Sequence, residues 1–214
     1  MPHYPGGPLG GDQRWSTFVA NHPKGIVVCD FLTVVTATFK CLYVLGIIEL
    51  GTRKLLHLHV TDHPTAARTQ QQLREAIPSG HDYRALIHDR DSIFSSQLAQ
   101  SMTHMGLRVL RTPYRSPKAN SICERVIGTL RRECLDFLIP LTEHHLRMLL
   151  KNWLTHDNHG RPHCSIGPGI PDPPAGLSVA RQEDRHRIPG HLKVVSHPVL
   201  GGLHHEYGLK TAAA

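Results

Sequence analysis

Three apolar, β-branched runs follow one another with only short breaks, and this succession limits the fold more than any other feature of the sequence. The runs are GIVVCDFLTVV (25–35), CLYVLGIIEL (41–50) and KLLHLHVT (54–61), and the breaks between them are TATFK and GTR. Parallel strands need a crossover of about a dozen residues or more, which these breaks cannot supply. The runs therefore predict an antiparallel meander.

Helix and strand patterns alternate after the meander. The predicted elements are a helix in HPTAARTQQQLREAIP (63–78), a strand in RALIHD (84–89), a helix around SSQLAQSMTHMG (95–106), a strand in LRVLRT (107–112), a helix in KANSICERVIGTLRRECLDF (118–137) and a helix in TEHHLRMLLKNWLTH (142–156). Thr142 is suited to cap the last helix. Five strands in this order predict an α/β fold in which a mixed five-stranded sheet is flanked by helices on both faces.

Length and composition favour one domain with tails. A chain of 214 residues with 40% hydrophobic content can bury one full core. We expect a flexible leader over 1–24, a core over 25–160 and a Pro/Gly-rich extension over 161–214, with a small hairpin around Gly201 and Gly202. No apolar run reaches the roughly 18 residues of a membrane span, and the start lacks the features of a secretory signal. We therefore expect a soluble cytoplasmic protein.

The charge of the chain indicates a polyanionic partner. The sequence has 24 Lys and Arg against 17 Asp and Glu, a net charge of +7. Between Arg108 and His163 there are ten Lys or Arg against five Asp or Glu. Such a concentration is typical of a surface that follows phosphates. The five cysteines form no CxxC motif, so we assign them to packing as reduced thiols.

Three acidic residues occupy unusual positions. Asp30 interrupts the apolar run IVVCDFLTVV, Asp89 ends RALIHD, and Glu124 lies at the edge of an apolar helix face that includes Ile122 and Phe137. An unpaired carboxylate inside a strand costs several kcal/mol, so each acid needs a cation, hydrogen bonds or a metal. The alternatives are a buried Asp30 bonded to backbone or Arg, a turn-forming Asp89, and a Glu124 on a solvated helix rim.

Convergence of the three acids would create a metal site. Adjacent strands could bring Asp30 and Asp89 together, and the helix could place Glu124 against them within a few ångströms. Such a cluster repels itself unless divalent cations neutralise it, and Mg²⁺ prefers carboxylate oxygen. Two Mg²⁺ or Mn²⁺ ions about 4 Å apart can activate an attacking oxygen and stabilise the leaving oxygen of a phosphodiester.

Four segments resemble a known family. VVCDFLTV, LIHDRDSIFSS, TPYRSPKANSICERVIGTLRRECLDF and NHGRPHCSIG are similar to the integrase core (DDE family) shared by insertion-sequence transposases and retroviral integrases, over roughly residues 15–174. The resemblance implies a ribonuclease H-like fold and a catalytic, metal-binding triad, which by position is Asp30, Asp89 and Glu124. The 34 residues between the last two are close to the family's usual interval. It also implies transposon ends and target DNA as partners, and a homo-multimer on DNA.

Departures from the family pattern leave alternatives open. The second acid stands in DRDS, so Asp91 competes with Asp89 for its role. Asp157 occupies a position at which the family often has Tyr. Only 29 residues precede Asp30, too few for the helix-turn-helix module of full-length relatives. We therefore expect a truncated copy or one half of a split reading frame.

Two further groups of residues are candidates for binding. We expect DNA contacts from polar and basic residues around the helix that carries Glu124, namely Arg115, Lys118, Asn120, Arg125, Arg131 and Arg132. Zinc ligation by His156, His159, His163 and Cys164 is the less favoured alternative to surface histidines, because their spacing matches no common zinc finger.

The predicted function is a DNA transposase or integrase core that cleaves phosphodiesters and transfers strands in a metal-dependent reaction. It would act in the bacterial cytoplasm, at the nucleoid when bound to DNA. The alternative is a catalytically silent, DNA-binding transposase remnant. Intact acids favour the enzyme, and the missing end-recognition module favours the remnant.

Overall fold

The computed structural model describes residue 17 and residues 23–112, 121–167, 169–174 and 188–212. In chain order these contain β1 (Ile26–Val35), β2 (Cys41–Glu49), β3 (Leu55–Thr61), α1 (Ala66–Ala76), β4 (Ala85–His88), α2 (Ser96–His104), β5 (Arg108–Arg111), α3 (Ser121–Leu130), α4 (Glu143–His159), β6 (Leu192–Val199) and β7 (His204–Thr211).

A mixed five-stranded sheet forms the centre of the fold. Its strand order is β3-β2-β1-β4-β5. β1, β2 and β3 pair in antiparallel fashion, which confirms the predicted meander. β4 pairs in parallel with both β1 and β5, so the chain crosses the sheet through helices in this half. The predicted fold class is confirmed.

Side chains on β1 alternate between two buried layers. Ile26 and Val28 belong to a cluster with residues of α3 and α4, whereas Val27 and Cys29 belong to a cluster with residues of α1 and α2. A strand covered on both faces must be apolar at consecutive positions, which explains the unbroken run at its start. Helices therefore cover both faces of the sheet, as the sequence predicts.

Hydroxyl side chains begin three of the helices. Thr65, Ser95 and Thr142 each accept a hydrogen bond from the backbone N–H three residues further on. Each bond satisfies an N–H that has no partner within the first helical turn. The cap predicted at Thr142 is confirmed.

The helix predicted over 118–137 is interrupted. α3 ends at Leu130, and a π-helical turn, Arg131–Leu135, follows it. A π turn has one more residue per hydrogen-bonded ring than an α-helix, so later positions are rotated around the axis. Phe137, predicted on the core-facing side, is 66% exposed as a result. Residues 118–120 lie outside the described part of the chain.

The cysteines divide into two groups. Cys29, Cys123 and Cys134 are buried, and all five thiols are free. Cys41 and Cys164 are exposed, so the expectation that the cysteines serve packing is wrong for these two. Cys41 opens β2 at an exposed position, and Cys164 lies in a short 3₁₀ turn after α4.

An antiparallel hairpin of β6 and β7 packs against the end of α4. His156 Nδ1 lies 2.8 Å from Glu206 Oε1, and His204 Nε2 donates to the carbonyl of Glu133 over 2.6 Å. A side chain at Gly160 would overlap Glu206, because the carboxylate of Glu206 occupies the place of its Cβ. In the described ranges no helix is both long and apolar enough to cross a membrane.

Asn158 joins α4 to the edge of the sheet. Its Oδ1 accepts from the backbone N–H of Leu55 over 2.9 Å, and its Nδ2 donates to the carbonyl of Leu55 over 2.8 Å. Both residues are buried. β3 is an edge strand, so the amide of Asn158 takes the place of a neighbouring strand at this point.

Asn158→Ala should destabilise the protein by about 2–4 kcal/mol, because two backbone groups of Leu55 would stay buried without partners. Urea unfolding followed by circular dichroism measures this change. Asn152→Ala, at an exposed position of the same helix, is the matched control and should change stability by less than about 0.5 kcal/mol. Equal effects of the two substitutions would contradict the assigned role.

Candidate functional site

The sheet places Asp30 and Asp89 side by side on one face. Asp30 has the same parity in β1 as Ile26 and Val28, which pack toward α3 and α4. Cys29 pairs with His88 in the parallel register, so Asp30 in the middle of β1 lies next to Asp89, the first residue after β4. One acid on β1 and one at the carboxyl end of β4 are thus neighbours.

Glu124 lies above the same face on the first turn of α3. Its neighbour Cys123 is fully buried in the cluster that contains Ile26 and Val28. This contact fixes the start of the helix on the sheet and leaves Glu124 exposed at its edge. The structure therefore places all three predicted acids at one end of one layer.

The surroundings of Asp30 raise the pKa of its carboxyl group. The pKa of Asp30 is raised from 3.8 to about 6, first by burial and then by the negative charge of Asp89. A hydrogen bond from the N–H of Phe31 to Asp30 Oδ1, 2.8 Å long, acts in the opposite direction. Glu124 and Asp91 raise the pKa further, by smaller amounts.

The acids do not form a close cluster. In the described part of the chain no three His, Cys, Asp or Glu side chains are grouped closely enough to hold one metal ion. The expectation that three carboxylates lie within a few ångströms is therefore wrong for this structure. Repulsion between like charges favours separation of the acids. The donor set is nonetheless carboxylate oxygen with an excess of negative charge, which suits a hard divalent cation.

Asp89 and Asp91 both stabilise local turns and differ in their effect on Asp30. Asp89 Oδ1 accepts from the N–H of Asp91 over 3.0 Å, and Asp91 Oδ1 accepts from the N–H of Ile93 over 2.9 Å. Both carboxylates thus stabilise turns, as the turn-forming alternative for Asp89 predicts. Asp89 raises the pKa of Asp30 more than Asp91 does, so it is the closer electrostatic neighbour.

Two buried thiols lie directly beside the acids in sequence. Burial is the main cause that raises the pKa of Cys29 and of Cys123, and Asp30 is the next. Both thiols therefore stay protonated and neutral at physiological pH. They fill the space beneath the acids and do not add charge to it.

The predicted DNA-binding residues are described only in part. Arg131 Nη2 donates to the carbonyl of Thr33 over 2.9 Å, and the guanidinium of Arg132 lies against Gly128. Arg125, which is exposed, lines a cavity that Arg53 also lines. Arg115, Lys118 and Asn120 lie outside the described residues. The sequence did not indicate Arg53 as a neighbour of Arg125, because no sequence pattern relates the β2–β3 turn to α3.

The four residues considered for zinc have separate surroundings. His156 contacts Glu206, and His159 Nδ1 donates to the carbonyl of Asp172. His163 Nε2 lies 3.3 Å from the carboxylate of Asp157. Cys164 is exposed. The expectation of a surface histidine is wrong for His156, which is only 5% exposed because the β6–β7 hairpin covers it.

The segment after α4 is tied to the π turn by an ion pair. Arg161 donates from Nε and Nη2 to the two carboxylate oxygens of Glu133, both over 2.6 Å. Bidentate pairs of this kind combine charge with fixed geometry. The pKa of Arg161 is raised by Glu133 even though burial acts against it.

Comparison with known proteins gives one family and several structures. Residues 105–171 match the family model described as "Integrase core domain". The resemblance to the integrase core is confirmed. A comparison with curated protein sequences gives no match.

Several solved structures share the fold of this chain. A chain of the simian T-cell lymphotropic virus intasome in complex with PP2A regulatory subunit B56 gamma is 14% identical, covers 88% of this chain and 67% of its own, and gives a TM-score of 0.57. The catalytic core domain of BIV integrase is 15% identical, with 69% and 91% coverage and a TM-score of 0.51. The HTLV-2 integrase catalytic core domain in complex with magnesium, in a dimeric form, is 15% identical, with 64% and 87% coverage and a TM-score of 0.50. These identities support the fold alone.

Asp30→Asn should stabilise the metal-free protein at neutral pH. The folded-state pKa of Asp30 lies above 3.8, so the protonated carboxyl group favours the folded state. This contribution to the free energy of unfolding is present at low pH and is lost as pH rises through about 6. A rise from 3.8 to about 6 corresponds to about 3 kcal/mol. Urea unfolding in EDTA should therefore show a gain of about 2–3 kcal/mol at pH 7.5 and little gain near pH 4.

The exposed Asp82 provides a matched control for this measurement. Asp82→Asn should change stability by less than about 0.5 kcal/mol at either pH. A gain for Asp30→Asn that does not depend on pH would contradict the electrostatic explanation.

Proposed function

We propose that this chain is the catalytic core of an insertion-sequence-type DNA transposase, which cleaves phosphodiesters and transfers strands with the help of divalent metal ions. One observation carries the proposal: Asp30, Asp89 and Glu124 lie at one end of one layer and interact electrostatically. The family match over 105–171 and the integrase fold support the same conclusion.

Asp30, Asp89 and Glu124 are the residues that would hold the metal. When bound, two Mg²⁺ or Mn²⁺ ions would supply activation of the attacking oxygen and stabilisation of the leaving oxygen. The three carboxylates suit this role, because burial and the negative charges of Asp89 and Glu124 raise the pKa of Asp30, and a bound cation would offset these charges. Protonation of Asp30 competes with metal binding, so metal affinity should fall below about pH 6.

Two displacements at phosphorus make up the proposed reaction. In the first, water attacks the phosphodiester at a transposon end, the bond from phosphorus to the 3′ oxygen breaks, and a 3′ hydroxyl is released. In the second, this hydroxyl attacks a phosphodiester of target DNA, forms a new bond to phosphorus and releases a target 3′ hydroxyl. No covalent bond to the protein forms.

Basic residues next to Glu124 would hold the DNA. Arg125 follows it directly, and Arg131 and Arg132 begin the π turn at the end of the same helix. Guanidinium groups bind phosphates without regard to sequence and thereby position the substrate. Because two transposon ends must be joined together, we expect a homo-multimer on DNA.

Glu124→Gln should lower Mg²⁺-dependent strand transfer by more than about 100-fold, since even the loss of a group that supports a metal ligand costs about 10–100-fold. The substitution keeps the side chain's volume at an exposed position, so fold and DNA affinity should persist. Strand transfer with labelled transposon-end DNA measures the effect, and Glu75→Gln, at an exposed position of α1, is the control.

Melting experiments give a second readout for the same variant. Millimolar Mg²⁺ or Mn²⁺ should raise the melting temperature of the wild type, because an ion bound only to the folded state stabilises it. The rise should be much smaller in Glu124→Gln at matched ionic strength. Full transfer activity in folded Glu124→Gln would overturn the proposal, and an inactive wild type would favour the silent remnant.

Asp89→Asn and Asp91→Asn should separate the two neighbouring acids. Asp89 follows the strand beside Asp30 and couples to it more strongly, so Asp89→Asn should abolish strand transfer while Asp91→Asn keeps measurable activity. Each substitution leaves a side-chain oxygen for the turn that the aspartate stabilises. The reverse result would move the metal ligand to Asp91.

A further inference from the structure

A cavity of about 220 Å³ lies on another side of α3, between this helix, the end of α4 and the segment that follows α4. Apolar walls come from Ile122, Val126 and Pro162. Polar groups come from several elements, including Arg53 in the β2–β3 turn. Drug-sized ligands occupy about 300–1,000 Å³, so a cavity of this size suits a smaller group such as a single base.

Asp157 is a buried acceptor in the wall of this cavity. It is only 1% exposed, and neither of its carboxylate oxygens accepts a hydrogen bond from any described residue. Two side-chain nitrogens lie near its Oδ1, Arg161 Nη1 at 3.7 Å and His163 Nε2 at 3.3 Å. Buried carboxylates without hydrogen bonds are rare and call for an explanation.

Arg53 is a half-buried residue that contributes a buried donor atom to the same wall. Its Nη1 has no hydrogen-bond partner among the described residues. Burial and then the charge of Arg125 lower the pKa of Arg53, and both guanidinium groups line the cavity. No hydrogen bond joins Arg53 to Asp157. The cavity wall therefore contains a carboxylate that accepts no hydrogen bond from the described residues, although Arg161 and His163 lie near it, and a guanidinium nitrogen without a described partner.

We infer that this cavity binds an unpaired guanine base of the DNA substrate. Asp157 would accept from the N1–H and N2–H donors of the base, and Arg53 or Arg125 would donate to its O6 and N7 acceptors. This inference rests on the proposed function, because it supplies the DNA. Bases taken out of the stack are bound in other enzymes by hydrogen bonds to the Watson–Crick edge and by apolar walls.

The chemistry of the donors selects guanine. A carboxylate can only accept, and guanine offers it two adjacent donors. Adenine and cytosine place an acceptor beside their single exocyclic donor, and thymine places its one donor between two carbonyls. The O6 and N7 atoms of guanine are also the pair that Arg contacts most often in DNA. A lone phosphate would meet the arginines but also the negative charge of Asp157.

The position of the cavity connects it to the acids. Arg125 lines the cavity and follows Glu124 directly in α3. The cavity and the acid therefore lie on different sides of the same helical turn. Capture of an unpaired guanine would thus position the strand whose phosphodiester is broken.

Binding of mononucleotides to the full chain in EDTA, measured by saturation-transfer NMR and titration calorimetry, tests the inference. The probes are dGMP, dIMP, dAMP and inorganic phosphate at up to millimolar concentration. We expect dGMP to bind at least tenfold more tightly than dAMP, with dIMP intermediate because it lacks the N2 donors. Phosphate alone should bind more weakly than any of them.

Three variants complete the test. Asp157→Asn should weaken dGMP binding at least tenfold, and Arg125→Gln should weaken it severalfold. Lys151→Gln removes the same charge as Arg125→Gln at an exposed position of α4 and should change nothing. Arg125 is also exposed, so Arg125→Gln remains informative if Asp157→Asn fails to fold.

Two results would overturn the inference. Equal binding of all nucleotides and of phosphate would mean an anion site without base recognition, and no binding at all would mean a cavity filled by water. The assay contains no metal and no duplex. Selective dGMP binding by a chain that transfers no strands would therefore contradict the proposed function alone.

Discussion

The burial of β1 on both faces is the constraint on which the rest of the structure depends. This strand is hydrogen-bonded to an antiparallel neighbour on one side and to a parallel neighbour on the other. Its side chains must alternate between two apolar layers, so the residue at position 30 has no choice of face. A carboxylate at that position is partly desolvated, and the acid at the end of the parallel neighbour adds its charge.

Local patterns made much of the fold predictable. The meander followed from apolar runs with connections too short for crossovers, and the start of α4 followed from one hydroxyl residue ahead of an apolar repeat. Asp30, Asp89 and Glu124 were identifiable because each conflicts with its surroundings in sequence. The placement of Asp89 beside Asp30 follows from the parallel register of β4 on β1, which depends on how the chain crosses the sheet and has no local pattern.

Other features depend on packing between distant segments and have no local pattern. The π turn at Arg131–Leu135 adds a residue to a sequence that otherwise fits an uninterrupted helix. His156 is buried only because the β6–β7 hairpin covers it. The presence of Arg53 and Asp157 in one cavity wall depends on the three-dimensional arrangement of three elements. Asp157 alone was marked in the sequence, by its departure from the family's Tyr.

Glu133 connects the C-terminal part of the protein to the helix that carries Glu124. Its side chain binds Arg161 after α4, and its carbonyl accepts from His204 of the hairpin. Both contacts are made by a residue inside the π turn. The hairpin and the segment after α4 are therefore attached to the same point.

The π turn has a mechanical consequence for the evolution of this chain. In a regular α-helix, a rotation of the turn that contains Glu133 about the helix axis would also rotate the turn that contains Glu124, because hydrogen bonds join successive turns. The wider hydrogen-bonded ring of the π turn allows the two parts of the helix to differ in their rotation about the axis. The contacts that the β6–β7 hairpin and the segment after α4 make with Glu133 can therefore change while the position of Glu124 relative to the sheet is retained.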